Sequence, residues 1–377
     1  MNGAEVLDDI RKAIADYCVL PKSEDADAIA LWTAVTHASG AFDFAPRLVI
    51  KSVEKRSGKT RVLEVVDGMS HEPIRLVNGS VSYLFRRVEL AGDAPPTIFL
   101  DEADTLFGSP RQAEKNEDLR GLLNSGFQRG SSYGRVQGPT LQPKEFRTFA
   151  MVAIAGIGDM PDTIEDRAIV IRVKRRRHDE SVKPFRSRDG QARLGALRVR
   201  LAEWLAPELE GLAEARPELP VIDRAADVWE PLAAVANLAG GEWPNRAWDA
   251  ALKLTESQHG AEAESSFGGQ LLADIRGVYT ALNELRALPT AVLLHHLNAL
   301  EESPWGGLNG VGLDARSLSR RLRPYGVRPG SIRVETEVVR GYKFGDLQDA
   351  WGRYLDSPTT TATSTTSPKF CVADQLA

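Results

Sequence analysis

The feature that most constrains this chain is the stretch 47–60, which reads RLVIKSVEKRSGKT. An apolar run short enough for a buried strand leads into a loop, and residues 57–60 (SGKT) then open a predicted helix that continues to Asp67. Backbone N–H groups of such a loop and of the first helical turn converge on phosphate oxygens, assisted by the helix dipole. Lys59 would reach the β and γ phosphates, and the Thr60 hydroxyl would bind Mg²⁺. The sequence therefore predicts a phosphate-binding loop made of Arg56, Ser57, Gly58, Lys59, Thr60 and Arg61.

The match to a phosphate loop has one departure. The pattern G-x-x-x-x-G-K-[ST] has glycine where this chain has Val53, so we expect a non-standard entry to the loop. Taken alone, a lysine and a threonine after a strand can also be a structural coincidence.

A second motif, residues 97–102 (TIFLDE), favours the phosphate loop over coincidence. Four β-capable residues end in two carboxylates, which places Asp101 and Glu102 at the sheet edge where ligands bind in open α/β folds. Asp101 would bind the metal, and Glu102 would deprotonate the attacking water. The alternative is a buried strand that ends in a solvated acidic turn. Residues 101–104 spell DEAD, which we interpret as coincidence because the other motifs of that helicase class are not apparent.

Composition excludes several classes of protein. The chain has 377 residues, 42% of them hydrophobic and 26% charged, as expected of a globular protein with two or three domains. Its net charge of −5 excludes a generally basic, nucleic-acid-coating protein. Cys18 and Cys371 have no metal-type spacing, and the longest apolar stretch, 149–157, is too short to span a bilayer. We expect a reduced, cytoplasmic protein without a membrane partner.

Short strands alternate with helices in the first half of the chain, which predicts an α/β fold with a parallel sheet. The predicted strands are 47–52, 74–77, 97–101, 149–155 and 168–174, and the predicted helices between them are 59–68 and 80–88. This order is expected of P-loop ATPases that carry an extra catalytic glutamate, in which the fourth strand lies between the first and the third.

The chain divides into six predicted segments. They are a helical lead-in at 1–45 with helices at 4–19 and 24–37, a P-loop ATPase core at 46–180, a helical lid at 181–255, a linker at 256–269, a winged-helix-like domain at 270–356 and a disordered tail at 357–377.

Three further arginine sites are predicted within the core and lid. Arg129 and Arg135 lie in a Gly/Pro-rich insertion that would contact DNA or a neighbouring subunit, with a solvated hairpin as the alternative. Arg167, just before the last strand of the core, would act as an arginine finger on a neighbour's γ-phosphate, with a salt bridge to Glu165 or a nearby acid as the alternative. Arg224 would contact phosphate from the lid, or simply lie near a helix start.

The position of the water-aligning sensor, often asparagine in ring-forming ATPases, is occupied by Gly156. The sensor is therefore missing or displaced, with Asp159 as a candidate. The basic run 172–177 (RVKRRR) is predicted to be a solvated strand end.

Positive charge concentrates near the C-terminus. From Leu313 to Phe344 eight positive residues stand against three negative ones, a local charge of +5 in a chain of −5. Three helices followed by a β-hairpin predict a winged helix, and this charge predicts contact with DNA phosphates. Protein docking is the alternative role. The DNA-contacting residues would be Arg316, Arg320 and Arg321 on the third helix and Arg340 on the wing.

The chain resembles an uncharacterised family of P-loop ATPases of the AAA+/ASCE type from phages and mobile elements of high-GC bacteria. The segments that carry the resemblance are LWTAVTHA, EKRSGKTRVLE, IFLDEADT, EDLRGLLNSGFQRG, AGIGDMPDTIEDRAIVIRVKRR, DRAADVWEPL and WGRYL. Relatives look like the motor half of primase-helicase proteins. The resemblance implies a replication-associated DNA ATPase that uses ATP and Mg²⁺ and acts with a separate primase or polymerase.

Three functions are compatible with these observations. The first is a ring-forming homo-oligomer, with a hexamer as one candidate, that unwinds or remodels single-stranded or forked DNA in replication of a mobile element. The second is a nucleotide-dependent regulatory switch or phage-defence ATPase whose basic module only docks. The third is a degenerate scaffold, since Val53 and Gly156 both depart from the usual pattern.

Overall fold

A five-stranded parallel sheet lies at the centre of the fold in the computed structural model of the chain. The structure describes residues 2–52, 54–76, 81–107, 116–137, 142–158, 160–177, 179–265, 267–282, 285–300, 303–308, 312–334 and 337–355. The strands up to residue 172 are β1 Arg47–Ser52, β2 Pro73–Leu76, β3 Thr97–Leu100, β4 Ser132–Gln137, β5 Gln142–Arg147, β6 Val152–Ile157 and β7 Ala168–Arg172.

The order of the central sheet is β2-β3-β6-β1-β7. The prediction of a parallel sheet with the fourth predicted strand between the first and third is confirmed. Strands β4 and β5 stand apart as an antiparallel hairpin, so the backbone of the insertion matches the alternative of a hairpin.

Helices cover both faces of the sheet, which is why its strands are apolar without alternation. The helices up to residue 165 are α1 Gly3–Tyr17, α2 Ser23–Ala38, α3 Lys59–Met69, α4 Val81–Ala91, α5 Ala103–Phe107, α6 Glu117–Ser125 and α7 Asp162–Glu165. Leu48 and Ile50 of β1 belong to one buried core with α1, α2 and α3, whereas Val49 belongs to a second core with α4, α5 and α6.

The helices predicted as a lid pack into the first of these cores. They are α8 Ser187–Leu205, α9 Leu209–Glu214, α10 Asp223–Ala239 and α11 Trp243–Ser265. Trp204, Trp229 and Trp243 are buried in the same cluster as Trp32 of α2. The lead-in and the predicted lid therefore form one helical layer, because their apolar faces bury each other.

Residues 256–265 and 267–269 of the predicted linker are helical. Helix α11 continues to Ser265, and α12 Phe267–Ala281 begins two residues later. Alanine, glutamate and glutamine are strong helix formers, and their combined propensity outweighs the roughly 1 kcal/mol that one glycine costs in a helix. The domain boundary here stays a prediction.

The C-terminal region has its own hydrophobic core. Its elements after α12 are β8 Ala287–Pro289, α13 Thr290–Asn298, α14 Ala315–Leu322, β9 Gly330–Val334, β10 Glu337–Lys343 and α15 Phe344–Tyr354. The strands form an antiparallel sheet in the order β8-β10-β9. Sequence analysis missed β8, because three residues show no alternation. The predicted tail from residue 357 lies outside the described residues.

No helix within the described part of the chain is both long enough and apolar enough to cross a membrane.

Candidate functional site

The turn between β1 and α3 is the segment that the sequence predicts to be a phosphate loop. Gly58 caps α3 with φ 90° and ψ 3°, a left-handed conformation that glycine adopts without steric penalty. Arg56 also has a positive φ of 62°. The sequence S-G-K-T therefore places its glycine at the residue where the turn ends and the helix begins. Val53 lies outside the described residues.

The Lys59 side chain is buried in this turn. Its ammonium donates to the Ser52 hydroxyl at 2.5 Å, and to the Glu54 carbonyl and the Ser57 hydroxyl at 3.3 Å each. Ser52 in turn donates to the Glu54 carbonyl at 2.7 Å. The lysine thus has three uncharged oxygen partners, one at the end of β1 and two in the turn.

The acidic motif follows β3 in a strained turn. Glu102 has a φ of 57°, which costs a non-glycine residue about 1 kcal/mol or more. Local hydrogen bonds hold it: the backbone N–H and the hydroxyl of Thr105 both donate to the Glu102 carbonyl at 2.8 Å. Asp101 accepts the Glu102 N–H at 2.9 Å. Both carboxylates are exposed, so they are accessible to a ligand.

The phosphate loop and the acidic turn meet at one edge of the sheet. Strand β6 pairs with both β1 and β3, and all three run parallel, so their carboxyl ends share an edge. Burial lowers the pKa of Lys59, while the negative charges of Asp104 and Asp101 raise it and so oppose that shift. A lysine and two carboxylates therefore interact electrostatically at this edge, which we name the carboxyl edge.

Oxygen ligands for Mg²⁺ are present at the carboxyl edge. Thr60 lies in the first turn of α3 and Asp101 directly follows β3, and both side chains are exposed. Among the described residues, no group of three or more His, Cys, Asp or Glu forms a complete metal site. This donor set fits Mg²⁺, which is held by one or two carboxylates together with substrate phosphates and waters.

Sequence analysis missed two residues of this edge. Asp104 accepts the Ile157 N–H at 3.0 Å and so ties α5 to the end of β6. Its charge is also the largest influence that opposes the lowered pKa of Lys59. Ser52 holds the lysine ammonium. The DEAD stretch at 101–104 could have indicated Asp104, because this residue follows Asp101 by about one helical turn.

Gly156 leaves no room for a polar sensor side chain at the end of β6. A Cβ at this position would lie 3.2 Å from the Asp104 backbone nitrogen and 3.3 Å from the Ala103 Cβ. It would also lie 2.5 Å from the Met160 Cε. The tight approach of α5 to β6 accounts for the glycine. Asp159, the predicted substitute, lies outside the described residues.

Arg167 and Arg224 lie at the opposite edge of the sheet. The Arg167 carbonyl accepts the N–H of Arg47, the first residue of β1, at 2.9 Å. Both guanidinium groups lie over the Phe127 ring, at 5.8 Å for Arg167 and 5.6 Å for Arg224. Six residues of β1 separate this amino edge from the phosphate loop, a span of roughly 17 Å. Neither arginine can reach the phosphate loop of its own chain.

The charges at this amino edge repel each other. Burial lowers the pKa of Arg167, and the neighbouring Arg224 lowers it further, while Asp166 raises it. Arg47 is fully buried, donates to the carbonyls of Ala45, Ala150 and Leu123 at 2.6–2.8 Å, and has its pKa lowered by burial to about 9. Arg224 has Asp227 at 3.5 Å.

A buried ion pair connects β1 to the segment that carries Arg167. The Lys51 ammonium binds both carboxylate oxygens of Glu165, at 2.7 and 2.8 Å, and both residues are buried. Glu165 also accepts the Met160 N–H at 2.9 Å. Lys51 therefore occupies the Glu165 carboxylate, so of the predicted alternative for Arg167, a salt bridge with Glu165 or a nearby acid, the nearby acid remains, and Asp166 is the acid that raises the Arg167 pKa.

Arg129 is half-buried and its guanidinium is bound within the fold, while its predicted contact with DNA or a neighbouring subunit stays a prediction. Its guanidinium donates to the carbonyls of Phe42, Ser39 and Gly40 at 2.8–3.0 Å and stacks on the Phe149 ring at 4.2 Å. The arginine therefore fixes the entry to the sheet. The backbone of Arg135 lies on β4 opposite Lys144, and its side chain is outside the described part of the structure.

The basic helix α14 presents part of its predicted surface to solvent. Arg316 and Arg320 are exposed on one stripe, which Arg323 continues just beyond the helix end. Arg321 does not belong to that stripe, because it is half-buried and its guanidinium lies 4.5 Å above the Phe267 ring. Arg340 is exposed on β10, where it donates to the Pro329 carbonyl at 3.0 Å. Compared with the predicted set, the exposed cationic surface therefore includes Arg323 and excludes Arg321.

Comparison with known proteins gives three findings. Residues 172–354 match the family described as "Protein of unknown function (DUF3631)". A protein of Saccharopolyspora erythraea, named "Uncharacterized 28.9 kDa protein in xis 5'region", is 39% identical over 188 residues, which cover 49% of this chain and 70% of that protein. A solved structure titled as the apo A form of the NrS-1 C-terminal region aligns with a TM-score of 0.41 and 10% identity, over 90% of this chain and 74% of that chain. By its identity to the Saccharopolyspora protein and its match over residues 172–354, the chain belongs to the DUF3631 family.

Proposed function

We propose that this chain is an ATPase that binds Mg-ATP at the carboxyl edge and, as a homo-oligomer, unwinds or remodels DNA during replication of a phage or mobile element. The observation that supports it most is that the turn carrying Lys59 and the acidic turn after β3 lie at the same edge of the parallel sheet, where the charges of Asp104 and Asp101 oppose the lowering of the Lys59 pKa by burial. A lysine, oxygen ligands and a left-handed glycine turn together suit a metal-bound triphosphate.

Each residue of the carboxyl edge has a distinct part in the proposed reaction. Lys59 exchanges the Ser52 hydroxyl for phosphate oxygens, and N–H groups of the turn bind the remaining charge. Thr60 and Asp101 would hold Mg²⁺, which when bound neutralises charge on the phosphates. Glu102 removes a proton from the attacking water. Its strained backbone is consistent with a functional position.

The proposal requires a second copy of the chain. Arg167 cannot reach its own phosphate loop, so it would neutralise the γ-phosphate bound by a neighbour. Arg224 lies over the same Phe127 ring and would support that contact. This geometry favours an oligomer in which the amino edge of one subunit faces the carboxyl edge of the next.

DNA would contact the C-terminal region, and the order of its helices and strands supports the winged helix that we propose there. The exposed stripe of Arg316, Arg320 and Arg323 would follow the phosphate backbone, with Arg340 on the hairpin as a further contact. A separate primase or polymerase would supply the primers.

A nucleotide-dependent switch is the second candidate, and Gly156 favours it. Without a polar side chain at this position, the attacking water lacks one aligning group, and hydrolysis is then slow. In that case the nucleotide state controls assembly or docking, and the basic helix binds a partner.

The two candidates differ in how hydrolysis responds to DNA. The experiment measures steady-state ATP hydrolysis with and without single-stranded and forked DNA, and strand displacement on the fork. A motor gives DNA-stimulated turnover that Lys59→Ala abolishes and Glu102→Gln lowers by about 10²-fold or more. Lys55→Ala, which removes an exposed lysine of the same turn, is the matched control and leaves turnover unchanged.

Slow turnover that is indifferent to DNA, with oligomer size controlled by nucleotide, supports the switch. Equal hydrolysis by wild type and Lys59→Ala contradicts both candidates.

A further inference from the structure

A pocket of about 430 Å³ adjoins the phosphate loop and has no part in the steps described so far. The turn residues 56–58 form its floor, the end of α1 forms one wall, and the segment 182–185 forms the other. In the proposed function the turn holds the polyphosphate. The nucleoside attached to that polyphosphate then extends into this pocket, so the inference below rests on the proposed function.

Two walls of the pocket suit a flat ring. Val19, Val62 and Val182 line it with aliphatic surface. The rings of Tyr17 and Phe185 meet edge to face with centroids 5.1 Å apart. Such a slot, apolar with aromatic edges, is typical of sites that hold a nucleotide base.

The charged side chains of the pocket are all cationic. Among its described lining residues there is no carboxylate and no carboxamide, and the cations are Arg56, Arg61, Lys174, Arg176 and Lys183. Arg61 already stacks over Phe185 at 4.5 Å, and Lys183 pairs with Asp16 at 2.9 Å.

The basic run 172–177 has two faces. Lys174 and Arg176 line the pocket. Arg175 and Arg177 point to carboxylates instead, at 3.7 Å from Glu54 and 2.7 Å from Asp179. The alternation follows from the extended backbone, in which successive side chains lie on opposite sides. The run is therefore more than the solvated strand end that the sequence predicted, because two of its six residues line the pocket.

Side chains that only donate hydrogen bonds favour guanine over adenine. Lysine and arginine donate hydrogen bonds and accept none. Guanine presents two acceptors, O6 and N7, whereas adenine presents the acceptor N7 beside the donor N6. We propose that this pocket holds the base of a purine nucleotide and accepts guanine at least as well as adenine, so that the substrate class is purine nucleoside triphosphates and not ATP alone.

The test is competition for a fluorescent ATP analogue bound to the full chain with Mg²⁺. The competitors are ATP, GTP, CTP and UTP. The inference predicts that GTP competes as well as ATP to within threefold, or better, and that both pyrimidine nucleotides are at least tenfold weaker because they stack less surface. ATP that binds more than threefold tighter than GTP would overturn it, as would pyrimidine nucleotides that compete equally.

A pair of double variants tests the role of the basic run. Lys174→Ala with Arg176→Ala is expected to weaken GTP at least tenfold and ATP less than threefold. The matched control, Arg175→Ala with Arg177→Ala, removes the same charge from the other face and leaves the GTP to ATP ratio unchanged. Equal loss of both nucleotides in the first variant would overturn the proposed base contact. Selective binding of ATP contradicts only the inference that the pocket accepts guanine, whereas binding of no nucleotide contradicts the proposed function as well.

Discussion

The two edges of the central sheet differ in how charge is arranged. At the carboxyl edge, the charges of Asp104 and Asp101 oppose the lowering of the Lys59 pKa by burial. At the amino edge, Arg167 and Arg224 lie over one aromatic ring and repel each other. Under the proposed function, the first edge would bind a metal-bound anion, and the positive charge of the second would meet an anion bound by another subunit. In that proposal one chain carries two halves of a site that two copies complete.

Removal of the Arg167 side chain is the change from which we expect the largest effect on ATP hydrolysis. Arg167→Ala is expected to lower ATP hydrolysis by about 10³-fold, because arginine fingers contribute 10³-fold or more. Nucleotide binding to the carboxyl edge of the same chain is unchanged, since the arginine lies at the other edge. The measurement is steady-state hydrolysis beside equilibrium binding of the nucleotide.

A mixing experiment shows on which subunit Arg167 acts. Arg167→Ala has an intact carboxyl edge, and Lys59→Ala has an intact amino edge. Mixed oligomers of the two inactive variants therefore recover a substantial fraction of the hydrolysis rate. If mixed oligomers form and remain as inactive as each variant alone, action between subunits is excluded.

The buried ion pair of Lys51 and Glu165 links the two edges of the sheet. Lys51 lies near the carboxyl end of β1, and Glu165 belongs to the segment that ends in Arg167. Glu165→Gln leaves a buried ammonium without its counter-charge, which destabilises a fold by about 3–5 kcal/mol. The double variant Lys51→Met with Glu165→Gln removes both charges and is expected to restore most of that loss. Urea denaturation of the single and double variants measures both values. Additive losses would show that the pair is not coupled.

The strand order and the turn that opens α3 could be predicted because each depends on a short local pattern, whereas the binding of phosphate by this turn stays a prediction. The motifs at residues 57–60 and 97–102 are each defined by the spacing of neighbouring residues. The alternation of strands and helices along the chain predicts a parallel sheet. The left-handed Gly58 and the end of β3 follow directly from those patterns.

The arginines could not be assigned from sequence, because their partners lie far along the chain. Arg129 binds the Ser39 and Phe42 carbonyls, which are 90 and 87 residues away. Arg321 stacks on Phe267. Arg224 lies beside Arg167 only because α10 packs on the amino edge of the sheet. A charged residue shows its type in the sequence, but only the fold decides whether it faces solvent, a ring or a carbonyl.

The central claim is that the carboxyl edge binds a magnesium-bound nucleoside triphosphate, and equilibrium binding tests it most directly. Calorimetric titration of the full chain with a non-hydrolysable triphosphate, with Mg²⁺ and with excess chelator, compares wild type, Lys59→Ala and Lys55→Ala. The account predicts one triphosphate per chain for wild type and Lys55→Ala, at least tenfold weaker binding without Mg²⁺, and no measurable binding by Lys59→Ala. Binding of equal strength by wild type and Lys59→Ala, or none by either, would contradict it.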